Sequence, residues 1–317
     1  MTAEPLPSST RRRVPDPTTP AELGLPDEPL KAGSRDSAAA HVRAKLDHEL
    51  RELLSREAGT RSGVDPEDLH QMWVALRRMR SVLKTSGALV GRGAEPVRAE
   101  LGWLGQSLGE VRDYDVLIGH LRDVVATFDV RDQSAGRRLV SKFVAERSVA
   151  RRRLTRALSS ARYTALLHSV ATLTKAPDSG TVVGTLAADI RKPLRRLEKA
   201  VRALPADPPD DDLHALRIHG KKLRYTAELA RASAKKKQSA RLTALVKATR
   251  TLQTILGEHQ DAVVASDRVR TLLPTADPEV AFIAGRITEH ELAKRAAARA
   301  AWPSAWSRVS AAARAAL

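Results

Sequence analysis

From about Ser37 onward the apolar residues recur at intervals of three and four, and strand-like alternation is absent. That period belongs to helices with one buried face, so an all-α fold is expected. Leu69, Met72, Leu76, Met79 and Leu83 form one such stripe; Leu213, Leu216, Gly220 and Leu223 form another. Breakers cluster at 59–65, 91–96, 176–184, 204–209 and 274–278. They divide the chain into ten predicted helices: 37–58, 66–88, 95–127, 134–159 and 162–174, then 185–204, 210–232, 238–272, 278–300 and 303–316. Short connections favour antiparallel neighbours and hence up-down bundles. Residues 1–36 differ. Their seven prolines, scattered charge and lack of an apolar period predict a disordered or loosely attached arm.

Two helix starts are marked in the same way. Asp65-Pro66-Glu67-Asp68 supplies a capping carboxylate, a proline at the first helical position and acids that suit the helix dipole. Asp207-Pro208-Pro209 followed by Asp210, Asp211 and Asp212 has the same ingredients, and both lead into Leu-His. His70 and His214 stand 144 residues apart, and Arg77-Arg78-Met79-Arg80 falls on Lys221-Lys222-Leu223-Arg224 at the same offset. Further on, Leu108-Gly109-Glu110 falls on Leu256-Gly257-Glu258 at an offset of 148. Two motifs in one order at nearly one spacing indicate an internal duplication, with a first helical repeat over 37–176 and a second over 185–317.

One residue beyond each apolar stripe lies a basic one: His70, Trp73, Arg77, Arg80 and Lys84, then His214, Arg217, Lys221, Arg224 and Glu228. A step of one residue is about 100°, so these cations sit at the shoulder of the core. An ordinary solvated face mixes signs to form i,i+4 pairs, whereas these hold almost no acid before Glu228. Like charges gathered twice in this way call for a counter-charge, and a polyanion supplies one. If the halves pack about a pseudo-two-fold axis, the stripes line one basic channel. His214 and His219, about 140° apart on the wheel, do not converge on a metal, and no zinc site is expected. Glu110, Asp113 and Asp115 have the chemistry for magnesium, but the second copy keeps only Glu258 and Asp261, with Val263 in the third place. Pairing with neighbouring Arg and Lys is the favoured reading. The runs Arg151-Arg152-Arg153 and Lys235-Lys236-Lys237 are expected to add only accessory positive field.

Composition narrows the choice. The 317 residues carry a net charge of +17, so a polyanionic partner is plausible on charge alone. Without cysteine there are no disulfides, thiol catalysis or zinc-thiolate sites. Aromatics are 3% of residues, too few for extended base-stacking platforms, so nucleic acid is expected to bind only non-specifically. No stretch reads as a membrane span, and the Arg11-Arg12-Arg13 triplet lacks the apolar run of an export signal. A cytoplasmic protein is expected, and the Ala- and Arg-rich usage fits a bacterial source. No phosphate-binding glycine loop, nucleophile elbow or His-Glu-x-x-His motif is present.

The segments Leu69 to Arg80, Leu108 to Val116 and Leu213 to Tyr225 resemble the CHAD domain, the conserved-histidine α-helical domain, over 37–317. The resemblance implies two tandem antiparallel helical bundles from an internal duplication, pseudo-two-fold related around a basic central groove or pore. It also implies non-catalytic binding of inorganic polyphosphate, with association with polyphosphate granules. Carried across, the ligands would be His70, Arg77, Arg78, Arg80, His214, Arg217, Lys221, Lys222 and Arg224, with Lys84 added from the first stripe. Trp73 stands where the family has Arg, which makes the first wall one charge weaker. Some members carry an upstream triphosphate-tunnel domain; with no Glu-x-Glu-x-Lys signature here, a stand-alone binding module without cofactor or metal is expected. The alternatives are a metal-dependent phosphohydrolase acting on polyphosphate or nucleotides, and a basic nucleic-acid-binding protein.

Overall fold

A computed structural model describes residues 18–33, 36–175, 190–232, 234 and 236–317. Every regular element among the described residues is helical. Helices α1 (Ala38–Ser55), α2 (Glu57–Ser62) and α3 (Pro66–Ser86) lead through a 3-10 turn (Gly87–Val90) to α4 (Ala94–Ala126), α5 (Val130–Leu158) and α6 (Ala161–Lys175). After the stretch outside the described residues come α7 (Arg191–Arg202), α8 (Asp210–Ala232), α9 (Lys236–Arg270), a short 3-10 turn (Leu273–Thr275) and α10 (Pro278–Ala316). The start marked at Asp65 is a real cap, and α10 begins in the same way at Asp277. Asp65 accepts from the Glu67 amide at 2.8 Å ahead of Pro66, and Asp277 accepts from Val280 at 2.9 Å ahead of Pro278.

The chain forms two compact units. Among the described residues, the first takes those from 18 to 116 and from 143 to 175; the second takes those from 117 to 142 and from 190 to 317. In the first unit the apolar stripe of α3 is buried throughout and joins Leu46, Leu50 and Leu53 of α1, Leu101, Leu104 and Leu108 of α4, and Tyr163 and Leu167 of α6. In the second, Leu213, Leu216 and Leu223 of α8 close on Leu194 and Leu197 of α7, Leu245 and Leu252 of α9, and Ala305 and Val309 of α10. Burial of these stripes supplies the stability that helix propensity alone does not.

This division departs from the expected boundary between 176 and 185. The end of α4 and the start of α5 belong to the second unit, because their polar groups are committed to α10. Arg138 reaches Glu279 at 2.6 Å, Arg286 pairs with Asp132, and His120 meets the fully buried Glu291 at 2.6 Å.

Three further expectations are corrected. Residues 18–33 are not a loose arm: Leu23 and Leu25 are buried in the first core, and Lys175 Nζ donates to the Leu23 carbonyl at 2.6 Å. Two isolated leucines have no period to betray them; residues 1–17 lie outside the described residues. Gly59 does not break the chain but sits inside α2, where a Cβ would lie 1.9 Å from Asp68 Oδ2, so close packing selects the glycine. The helix stops instead at Gly63, whose φ of +63° favours glycine. Finally, the expected break at 301–302 is absent, and α10 runs through Pro303. An internal proline costs about 3 kcal/mol. Burial of Ala305, Val309, Ala313 and Ala316, with Trp302 and Trp306 packed alongside, offsets it.

Arg51 holds the early segment down. Its Nε donates to Asp47 at 2.9 Å and its Nη2 to the Pro26 carbonyl at 2.6 Å, while the Leu30 amide donates to the same Asp47 oxygen at 2.9 Å. Asp47 is fully buried. Replacing Arg51 with Ala is expected to cost about 1–3 kcal/mol in urea unfolding. Amides between Leu23 and Leu30 should exchange hydrogen faster, while those of α10 keep wild-type rates.

Candidate functional site

The core stripe of α3 fixes its rotation, so the next stripe has no freedom to turn into solvent. His70, Trp73, Arg77 and Arg80 are half-buried, and Lys84, near the helix end, is exposed. Beneath them α4 presents glycines at 102, 105 and 109. A Cβ at Gly102 would lie 3.5 Å from Arg80 Nη2, one at Gly105 3.7 Å from Nη1, and one at Gly109 3.7 Å from Trp73 Nε1. These glycines leave room for the Arg80 guanidinium and the Trp73 indole to approach α4. The sequence reading singled out Gly109 and missed Gly102 and Gly105, although their three- and four-residue spacing was the available signal.

Trp73 changes the picture drawn from sequence. Its ring carries the Arg77 guanidinium at 4.5 Å and stacks against His70 at 6.3 Å with planes 28° apart. The position lacks a charge of its own but holds a neighbour's charge in place. Arg78 lies off the stripe: it is 56% exposed and stands 3.6 Å from fully buried Glu49 of α1, which Lys45 also approaches at 2.6 Å. In the first unit, therefore, one of the carried-over cations is already countered by an internal acid.

In the second unit α8 carries a basic row beside its apolar one. His214, Arg217, Lys221 and Arg224 are half-buried, and Lys222 is exposed. Arg217 occupies the place beside Gly257 of α9, whose Cβ would lie 3.7 Å from its Nε. His214 Nδ1 is hydrogen-bonded to Gln260 Oε1 at 2.7 Å. Arg224 lies over Tyr225 at 4.6 Å and reaches Glu228 at 3.5 Å, and the same Glu228 oxygen accepts from Arg250 of α9 at 2.8 Å. His70 Nδ1 and the Nε atoms of Arg80, Arg217 and Arg224 are buried with no hydrogen-bond partner. Buried polar atoms are normally satisfied, and these four are exceptions among the described residues.

The acids of the Gly-Glu motif act on arginines. Glu110 pairs with Arg153 at 3.0 Å, and Asp115 with Arg147 of α5. Among the described residues no three His, Asp or Glu side chains gather closely enough to hold a metal. The arginine run of α5 does more than add field. Arg151 Nη2 donates to the Arg61 carbonyl at 3.0 Å and also to that of Ser62, latching the turn at Gly63. Lys236 and Lys237 open α9 as exposed side chains; Lys235 lies outside the described residues.

The start of α8 is pinned by a charged cluster. Asp210 meets Arg295 at 2.8 Å, Arg299 at 3.1 Å and His259 Nε2 at 3.1 Å, and Arg299 also donates to the Pro208 carbonyl at 2.6 Å. Burial holds the His259 imidazole below its ordinary range, opposed by Asp210 and reinforced by Arg299 and Arg295.

Two expected outcomes follow from this geometry. Trp73→Arg adds a charge but removes the ring under Arg77 and sets like charges four residues apart, so it should cost about 1 kcal/mol at low ionic strength. The loss should shrink in thermal melts at about 1 M salt and be absent in Trp73→Phe. The fold disfavours the charged form of His259, whereas the unfolded chain takes up its proton at the ordinary 6.5. Its contribution to stability is therefore complete above that pH and is lost as pH falls toward the folded-state value. His259→Gln should flatten the pH dependence of the melting temperature below 6.5.

The pattern of the CHAD domain matches residues 44–270, and the chain belongs to that family. The crystal structure of the CHAD domain from the plant Ricinus communis superposes with a TM-score of 0.67 at 27% identity, covering 90% of this chain and 95% of that one. PptA from Streptomyces chartreusis shares the fold, with a TM-score of 0.65 at 22% identity over 86% of this chain and all of that one. An uncharacterized protein of Mycobacterium tuberculosis, found in strains CDC 1551 and H37Rv, is 29% identical over 276 residues, 81% of this chain and 48% of its own length. The chain thus spans about half the length of the curated relatives it matches. No helix among the described residues is long and apolar enough to cross a membrane.

Proposed function

We propose that the protein binds inorganic polyphosphate through the basic faces of α3 and α8, without catalysis, and that it associates with polyphosphate granules. The observation that carries this reading is a row of half-buried cations on each of two helices, Arg77 and Arg80 on α3 and Arg217, Lys221 and Arg224 on α8, fixed beside the core with Glu228 the one acid in either row. A phosphate chain supplies closely spaced acceptor oxygens and several negative charges for the cations gathered on the two helices. Family membership supports the same ligand. The pairing of Glu110 and Asp115 with arginines weighs against a magnesium-dependent phosphohydrolase. The contacting residues are His70, Arg77, Arg80 and Lys84 of α3 and His214, Arg217, Lys221, Lys222 and Arg224 of α8, with Arg78 weakened by Glu49.

Binding to long-chain polyphosphate and to charge-matched single-stranded DNA at about 150 mM salt is the direct test. Polyphosphate should bind at least tenfold more tightly, and Arg224→Glu or Lys221→Glu should reduce its affinity far more than Lys236→Glu. Equal affinity for the two polyanions, or equal losses at all three positions, would show a diffuse field and return the nucleic-acid reading to the front.

A further inference from the structure

Helix α7 has drawn no functional role so far, yet it is the most one-sidedly charged element of the second unit. Its apolar side, Leu194 and Leu197, is buried in the core. Its other side exposes Lys192, Arg195, Arg196, Lys199 and Arg202 along about 18 Å of helix. None of these five forms an ion pair among the described residues, and the sole acid of the helix, Glu198, is half-buried. Arg191 and Lys192 stand in the first turn, which holds no acid, so the positive end of the helix dipole adds to the side-chain charge. Lys192 with Arg196, and Arg195 with Lys199, are like-charge pairs at the spacing where helices ordinarily place opposite signs.

The contrast with the first unit sharpens the point. There α1 packs on α3 and brings buried Glu49 to Arg78. Here α7 packs on α8 and brings further cations to Lys222, the residue in the corresponding place. The two helices join electrostatically at His219. Burial first, then Lys222, then Arg196 hold its imidazole below the ordinary range. A lipid surface is the wrong occupant, because the apolar face a bilayer would need is already buried in the protein.

We propose that the solvent face of α7, continuous with Lys222 of α8, is a second polyphosphate-binding surface engaged only by chains long enough to run from one helix onto the other. This rests on the polyphosphate reading above and makes chain-length preference a property of α7.

The test compares the wild-type protein with a variant carrying Lys192→Gln, Arg195→Gln, Lys199→Gln and Arg202→Gln, using long-chain polyphosphate and tripolyphosphate as probes across a salt series. Because the four replaced side chains are exposed and mutually repulsive, the variant should melt no lower than wild type. The double variant Lys199→Gln, Arg202→Gln serves if the fourfold one does not fold. Long-chain affinity should fall at least tenfold, and the slope of log affinity against log salt should drop by about 3, near 0.7 for each lost cation. Tripolyphosphate affinity should stay within twofold. Unchanged long-chain binding, or equal losses for both probes, would overturn the inference while leaving the function intact. A wild-type protein that ignores both probes would overturn the function itself. Loss of binding to anionic vesicles with polyphosphate binding unchanged would assign the face to a lipid surface and overturn it too.

Discussion

The rotation of α3 and α8 about their own axes is the constraint on which the rest depends. Leu69, Met72, Leu76 and Met79 in one helix, and Leu213, Leu216 and Leu223 in the other, are buried to within a few per cent of complete exclusion from water. Turning either helix to relax its cations would expose that apolar surface, at about 25 cal/mol for each Å². Electrostatic repulsion between neighbouring arginines is a much smaller force at a partly hydrated surface. Core burial wins, and the cations are held where the core puts them.

Everything around the two helices is a response to that fixed charge. Small residues on α4 and α9 let guanidiniums lie against backbone, Trp73 and Tyr225 offer ring faces, and carboxylates are admitted sparingly. Glu49 takes up Arg78, while Glu110 and Asp115 are committed to α5 and leave the stripes alone. The two units solve the same problem unequally. The first tempers its basic helix with a buried acid on the packing neighbour; the second places more positive charge there.

Much of this was readable from residue order because it is local. A period of three and four, a capping aspartate and a following proline act within one or two turns, and the helices began where those signals stood. The stripe beside the core was legible for the same reason. What escaped depends on partners far away in the chain. Nothing near residues 117–142 announces that Asp132, Arg138 and His120 will be answered by α10. Pro303 reads as a stop until the packing of Val309 and Ala313 outweighs it. Leu23 and Leu25 carry no period at all, and Trp73 looks like a lost charge until the position of Arg77 is known.

Glu228 occupies a special place among these acids. One of its oxygens faces both Arg224 and Arg250, so in the free protein a carboxylate already stands where an anion would be drawn. An incoming guest at this spot must evict a resident that cannot diffuse away. Monovalent ions such as chloride gain too little from that exchange, whereas a chain of linked phosphates brings several charges for one eviction. On the polyphosphate reading proposed above, a tethered competitor of this kind would turn a merely positive surface into one that discriminates by valence.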